Sequence, residues 1–170
     1  TATFLVPTQI YGLLDHAGLD QWDLSSLEYV LYGASPIAPA RLAEAVRRLG
    51  PIFGQLYGQA ESPMTISYLR KHEHDAARPE RLQSCGRPLL GNQVRLLDGQ
   101  HREVAVGEVG ELCVRSPLTM AGYLNRPEET AKVFAGDWLH TGDLARCDAD
   151  GYLFLVDRAK DMIITGGFNV

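Results

Sequence analysis

No long apolar run, no CxxC pair and no block of like charge occurs in the 170 residues. The first absence excludes a membrane-spanning helix, which needs about 20 consecutive apolar residues. The N-terminus also lacks a basic and apolar signal region, so a cytoplasmic location is the expectation. The three cysteines, Cys85, Cys113 and Cys147, are odd in number and far apart. They read as reduced thiols and disfavour both a disulfide framework and a zinc knuckle. Sixteen basic residues stand against 21 acidic ones, a net charge of -5, and this scattered balance excludes the electrostatic footprint of a nucleic-acid binder. Repeats and low-complexity tracts are missing too. What remains is ordinary globular composition, 45% hydrophobic and 22% charged, in a length that can bury one ordinary core or two small ones. The chain begins at Thr1 and ends in the turn-rich run Thr165-Gly166-Gly167-Phe168-Asn169-Val170; both ends are expected to be cut from a longer chain.

Strand and helix signals alternate up to about residue 90. Thr1 to Val6 is β-prone, and Pro7 opens an apolar-periodic helix through Ile10, Leu13 and Leu14 that stops near Gly18. Leu27 to Tyr32 reads as a buried strand, with Tyr29 and Tyr32 as core residues. From Pro39 to Leu49, Leu42, Val46 and Leu49 share one helical face; Arg47 and Arg48 suit its C-terminal end, and Gly50 its cap. Ile52 to Tyr57 returns to strand. Short connections between such elements imply a parallel sheet, whose ligands sit in loops beyond the strands' carboxyl ends. Gly33-Ala34-Ser35-Pro36 and Gly58-Gln59-Ala60-Glu61 fall in those positions. Residues 71 to 84 are polar and read as a surface loop. Beyond Pro88 the period becomes that of antiparallel β, with strands at Gln93–Leu97, Glu111–Arg115, Trp138–Thr141, Leu144–Cys147 and Tyr152–Val156. Asp148-Ala149-Asp150-Gly151 is a hairpin turn, and Pro127 to Phe134 is the one helix of this half.

Two segments carry residue types suited to a nucleotide. Tyr57 ends a strand before Gly58, so its ring can lie against a purine while the backbone approaches without a Cβ in the way. Glu61 supplies a hard oxygen suited to magnesium. In Thr141-Gly142-Asp143 the carboxylate can accept from both hydroxyls of a ribose, with Gly142 leaving room for the sugar, and the fork of Arg158 can reach ribose or phosphate oxygens. Taken alone, each has a plainer reading: a core tyrosine at a strand end, an Asp closing a β-turn, a surface Arg paired with Asp157 or Asp161. Lys71-His72-Glu73-His74-Asp75 offers two histidines to a metal but no third and fourth ligand, and is set aside.

The order of motifs is more specific than any one of them. Tyr57-Gly58-Gln59-Ala60-Glu61, Gly107-Glu108-Val109-Gly110-Glu111-Leu112, Gly122-Tyr123, Trp138-Leu139-His140-Thr141-Gly142-Asp143 and Asp157-Arg158-Ala159-Lys160-Asp161 follow one another. That order resembles the adenylate-forming superfamily of acyl-CoA synthetases, luciferases and peptide-synthetase adenylation domains, across nearly the whole chain. The resemblance implies the end of a Rossmann-like parallel α/β subdomain over 1–90, a small distorted β-barrel subdomain over 91–157, and a hinge with the start of a truncated C-terminal domain over 158–170. It implies an acid-thiol ligase that activates a carboxylic acid with ATP and Mg2+ to an acyl-adenylate and passes the acyl group to coenzyme A. The ending Asp157 to Val170 is most similar to acyl- and aryl-CoA ligases. Tyr57 would pack on adenine, with Gly58, Gln59 and Ala60 beside it; Glu61 would hold the metal, and Asp143 and Arg158 the ribose. Gly33, Ala34 and Ser35 would line the acyl and adenine sites. Lys160 would be the hinge, although it also reads as an exposed lysine. Ala60 stands where the family has Thr and removes a hydroxyl contact to phosphate. The chain has no Ser/Thr/Gly-rich loop ending in Lys and no counterpart of the family's C-terminal lysine, so alone it is expected to be inactive. The alternative is a noncatalytic nucleotide-binding or scaffolding module of the same fold.

Overall fold

In the computed structural model, residues 1–158 are described, Asp157 and Arg158 by backbone alone, together with the two-residue ladder between Ile164–Thr165 and Phe168–Asn169. The chain divides into two units. The first comprises Thr1–Leu56, Leu69–Ser84 and Met162–Val170, and the second Tyr57–Tyr68 and Cys85–Asp161.

Strand and helix alternate in the first unit as β1 (Ala2–Leu5), α1 (Pro7–Leu14), β2 (Tyr29–Gly33), α2 (Pro39–Leu49) and the first part of β3 (Phe53–Gln59). β2 pairs in parallel with β1, Ala2 opposite Tyr29, and with β3, Val30 opposite Phe53. Pro39 starts α2, Arg47 and Arg48 occupy its last turn, and Gly50 closes it at φ 86°, the left-handed region that a side chain resists. The faces that α1 and α2 turn inward meet alternate residues of β2, so that Ile10, Val30, Tyr32, Leu42, Ala45 and Phe53 form a buried core. Helix α1 stops at Leu14, earlier than its apolar pattern suggests, because Asp15 takes the cap and a 3-10 turn at Leu19–Gln21 follows, burying Leu19.

Residues 71 to 84 are only in part the surface loop that their polarity suggests: His72, Asp75, Ala77 to Glu80 and Gln83 are exposed. Two 3-10 turns, Lys71–Glu73 and Arg81–Gln83, put Leu82 into the core and bury His74 and Ser84. The ring of His74 sits between the Tyr32 hydroxyl, 3.0 Å from Nε2, and the Arg70 carbonyl, 2.9 Å from Nδ1. A carbonyl only accepts, so Nδ1 carries the proton, and burial drives the ring's pKa down to about 4; Nε2 faces the Tyr32 hydroxyl, which also lies 3.2 Å from Gln55 Oε1. Polar residue types here satisfy a buried network, and sequence polarity alone does not distinguish that from exposure.

The second unit starts with the end of β3, which continues through Gln59. A two-residue turn, Ala60-Glu61, leads into β4 (Ser62–Leu69), and β4 pairs antiparallel with β5 (Arg87–Pro88). The sequence reading did not anticipate β4: two of its buried positions are Ser62 and Ser67, and Pro63 interrupts the apolar alternation. Ser67 is accommodated because its hydroxyl donates to the Cys85 carbonyl at 2.7 Å. An antiparallel half-barrel follows, in the strand order β10 (Leu153–Arg158), β9 (Trp138–Cys147), β7 (Val109–Arg115), β6 (Gln93–Leu97), with β8 (Phe134–Ala135) also on β9. Its core gathers Leu96, Leu112, Val114, Leu139, Ala145 and Leu153 with Tyr57, Ile66 and Cys85. Helix α3 (Pro127–Val133) begins at the expected proline. The β9–β10 turn is closed by Asp148, whose side chain accepts the N–H groups of Asp150 and Tyr152 at 3.0 and 2.8 Å. The fold is thus α/β followed by antiparallel β. No helix among the described residues is long and apolar enough to cross a membrane.

Candidate functional site

Thr141-Gly142-Asp143 is not a loop between two strands, as its turn-like composition suggests, but a bulge within the continuous strand β9. In the β7–β9 ladder Glu111 pairs with Leu144 and Cys113 with His140, so Thr141, Gly142 and Asp143 together stand opposite Leu112. Gly142 takes φ 72°, which a Cβ would oppose even though the space around it is open. Bulges of this kind re-aim a side chain, and here the chain turns the Asp143 carboxylate into the unit, where only 4% of the residue stays exposed. Strand β10 has its own irregularity between Leu155 and Asp157, after which Arg158 lies in register opposite Asp143.

Tyr57 reaches the same carboxylate from β3. Its hydroxyl donates to Asp143 Oδ2 at 2.5 Å across 86 positions of sequence. Burial, reinforced by the negative charge of Asp143, lifts the phenol far above its ordinary pKa, so Tyr57 remains a donor. The ring is 8% exposed and belongs to the half-barrel core. Tyr57 is thus a buried partner of Asp143. Gly58 has a further structural reason to lack a side chain: a Cβ there would come within 2.3 Å of the Met64 amide nitrogen and 2.4 Å of the Ser62 carbonyl oxygen.

Glu61 lies on the β3–β4 turn, half-buried, and accepts a hydrogen bond from the Tyr123 hydroxyl; its own carbonyl accepts the Met120 amide at 2.8 Å. The bond to Glu61, then burial, pushes the Tyr123 phenol up to about 12. Gln59 is the last residue of β3 and Ala60 the exposed first residue of the turn. Gly33, Ala34 and Ser35 close β2 in the first unit, where Ala34 holds the left-handed conformation at φ 69°, a strain that concentrates at functional positions. Lys160 lies outside the described residues, as does the Gly166-Gly167 pair.

The sequence reading assigned no role to Tyr123, Thr141, Glu111 or His140, although Gly122-Tyr123, the Gly-Glu-Leu motif and Trp138-Leu139-His140 were among its signatures. Glu111 Oε1 accepts the Gly142 N–H at 3.1 Å, and Glu111 Oε2 lies 2.8 Å from His140 Nδ1. Cys113 Sγ approaches the same ring nitrogen at 3.4 Å. These three side chains are the one group among the described residues whose ligand atoms cluster as a metal site would. Their polar atoms already satisfy one another, and burial pushes the Cys113 thiol up to about 12, against the thiolate that a metal requires. The two histidines at 72 and 74 form no such group.

A profile of AMP-binding enzymes matches residues 1–124. The chain belongs to the AMP-binding enzyme family. This AMP-binding segment is 60% identical over all 170 residues to a medium/long-chain-fatty-acid–CoA ligase, FadD8, of Mycobacterium tuberculosis, and covers 29% of that protein. Among solved structures, the amide bond synthetase McbA from Marinactinospora thermotolerans superimposes with a TM-score of 0.93 at 43% identity, over 100% of this chain and 34% of that one. The o-succinylbenzoate coenzyme A synthetase of Bacillus subtilis, in complex with ATP and magnesium ion, follows at a TM-score of 0.81 and 32% identity, over 100% and 34% of the two chains. The segment thus spans about a third of the length of the relatives it matches.

Proposed function

We propose that this AMP-binding segment belongs to an ATP-dependent acid-thiol ligase that activates a medium- or long-chain fatty acid. The carboxylate attacks the α-phosphate of ATP, an acyl-adenylate forms and pyrophosphate leaves; the thiol of coenzyme A then attacks the acyl carbon and AMP leaves. One observation carries the nucleotide part of this reading. A buried carboxylate, Asp143, accepts a hydroxyl proton at 2.5 Å, the bond a ribose hydroxyl would make, and the backbone of Arg158 stands opposite it in the ladder. The 60% identity to a fatty-acid–CoA ligase supports the substrate class.

In this reading Asp143 binds the ribose, Arg158 reaches ribose or phosphate, and Tyr57 borders the adenine together with Gly58, Gln59 and Ala60. Glu61 meets the magnesium of the substrate MgATP: a half-buried carboxylate oriented by the Tyr123 hydroxyl is the hard donor that such an ion accepts beside phosphate oxygens. Bound there, the ion would supply positive charge to offset that of the phosphates. Residues from 158 onward form the hinge toward a C-terminal domain, with Lys160 as the pivot.

The intact protein, given ATP and a series of fatty acids, should release pyrophosphate and form acyl-CoA when coenzyme A is supplied. A second reading rests on the likeness to McbA: an amine as acyl acceptor. Mass spectrometry of reactions offered both acceptors separates the two, since an amide as the main product excludes the thiol. Absence of pyrophosphate release with every acid of the series would leave the noncatalytic alternative.

A further inference from the structure

We propose that Glu111 is the positioning residue of the nucleotide site: it holds the bulge in β9 and so fixes where Asp143 points. The proposal rests on the reading of Asp143 as the ribose partner, and Glu111 itself touches no substrate.

Where three residues of one strand oppose a single residue of its neighbour, regular ladder bonds are lost and the freed backbone groups need other partners. In β9 side chains supply them. The Thr141 hydroxyl donates to the Leu112 carbonyl at 2.7 Å and its oxygen accepts the Asp143 N–H at 3.1 Å. Glu111 Oε1 accepts the Gly142 N–H at 3.1 Å, and the left-handed turn at Gly142 is part of the conformation in which that bond forms. Glu111 Oε2 holds His140 Nδ1 at 2.8 Å; an ionised carboxylate only accepts, so that nitrogen carries a proton. One carboxylate therefore grips the residue before the bulge and the residue at its centre, from a strand whose own position is set by its pairing with β6. Removing it leaves Gly142 with an unpartnered amide and free to rotate, and Asp143, the next residue, rotates with it. Bidentate, charge-assisted bonding is what distinguishes such a clamp from general packing.

The test is a double-mutant cycle in the intact protein. AMP affinity is measured by calorimetry for the parent, Glu111→Ala, Asp143→Asn and the double variant, together with hydrogen exchange at the Gly142 and Asp143 amides without ligand. If Glu111 works through Asp143, Glu111→Ala weakens AMP roughly tenfold in the parent and changes little once Asp143 is Asn, the signature of coupled residues. Exchange at Gly142 accelerates, and Glu111→Gln, which keeps an oxygen for the Gly142 N–H, restores most of the affinity. Additive losses of affinity, or unchanged Gly142 exchange, overturn the proposal. Faster Gly142 exchange with AMP affinity indifferent to Asp143→Asn supports the clamp and overturns the ribose role of Asp143 instead. Should Glu111→Ala fail to fold, Glu111→Leu, which keeps side-chain bulk but offers no acceptor to the Gly142 N–H, replaces it in the cycle, and additivity again decides against the proposal.

Discussion

At the scale of single residues, the proposed site places two demands on Asp143, the hydrogen bond it makes within the fold and one to a nucleotide. Asp143→Ala in the intact protein should raise the apparent KM for ATP about ten- to a hundredfold, the loss expected for hydrogen bonds to a charged acceptor; unaltered ATP kinetics would remove its assignment to ribose. Tyr57→Phe separates the two demands. It deletes the hydroxyl that occupies Asp143 Oδ2 and should cost about 1–3 kcal/mol in chemical denaturation while leaving ATP affinity equal or tighter, because a ribose hydroxyl no longer competes. A fall in affinity as large as that of Asp143→Ala would show instead that the phenol itself contacts the nucleotide. These two residues were legible as nucleotide-site candidates from their types and motif context. Their direct contact was not, since sequence spacing does not specify which side chains meet across strands.

Elements tell a different story in each half. Helix α2 was legible because proline, periodic leucines, terminal arginines and a capping glycine all agree locally. Strand β4 was not, because buried serines that bond a distant carbonyl look polar in sequence. The continuity of β9 was hidden for a related reason: Thr141-Gly142-Asp143 has turn composition, and only pairing with β7 on one side and β10 on the other keeps it within a strand. The tight β3–β4 turn makes its own prediction. Gly58→Ala drives a methyl into the backbone of Ser62 and Met64, and overpacking against backbone should cost about 1–3 kcal/mol or more. A thermal midpoint within a degree of the parent would refute that close approach.

For the whole molecule, acid sensitivity follows from His74. Its pKa is near 4 when folded and 6.5 when unfolded, so the unfolded chain binds the extra proton between these values. The neutral ring's contribution is fully present above pH 6.5 and is lost as pH falls toward 4, a decline of up to about 3 kcal/mol. Urea titrations from pH 7 to 4 should show that slope, and His74→Gln should flatten it; an equal slope in the variant would place the acid sensitivity elsewhere. Local order in the sequence determined the class of each half, since periodicity, caps and breakers act through neighbouring residues, and motif order pointed to the family. Tertiary structure alone decided that Glu73, His74, Leu82 and Ser84 within 71–84 are buried, that β9 runs unbroken through a bulge, and that Tyr57 and Glu111 converge on the segment carrying Asp143. Those outcomes depend on partners far away in the chain, and a hydrogen bond across 86 residues leaves no periodic trace along it.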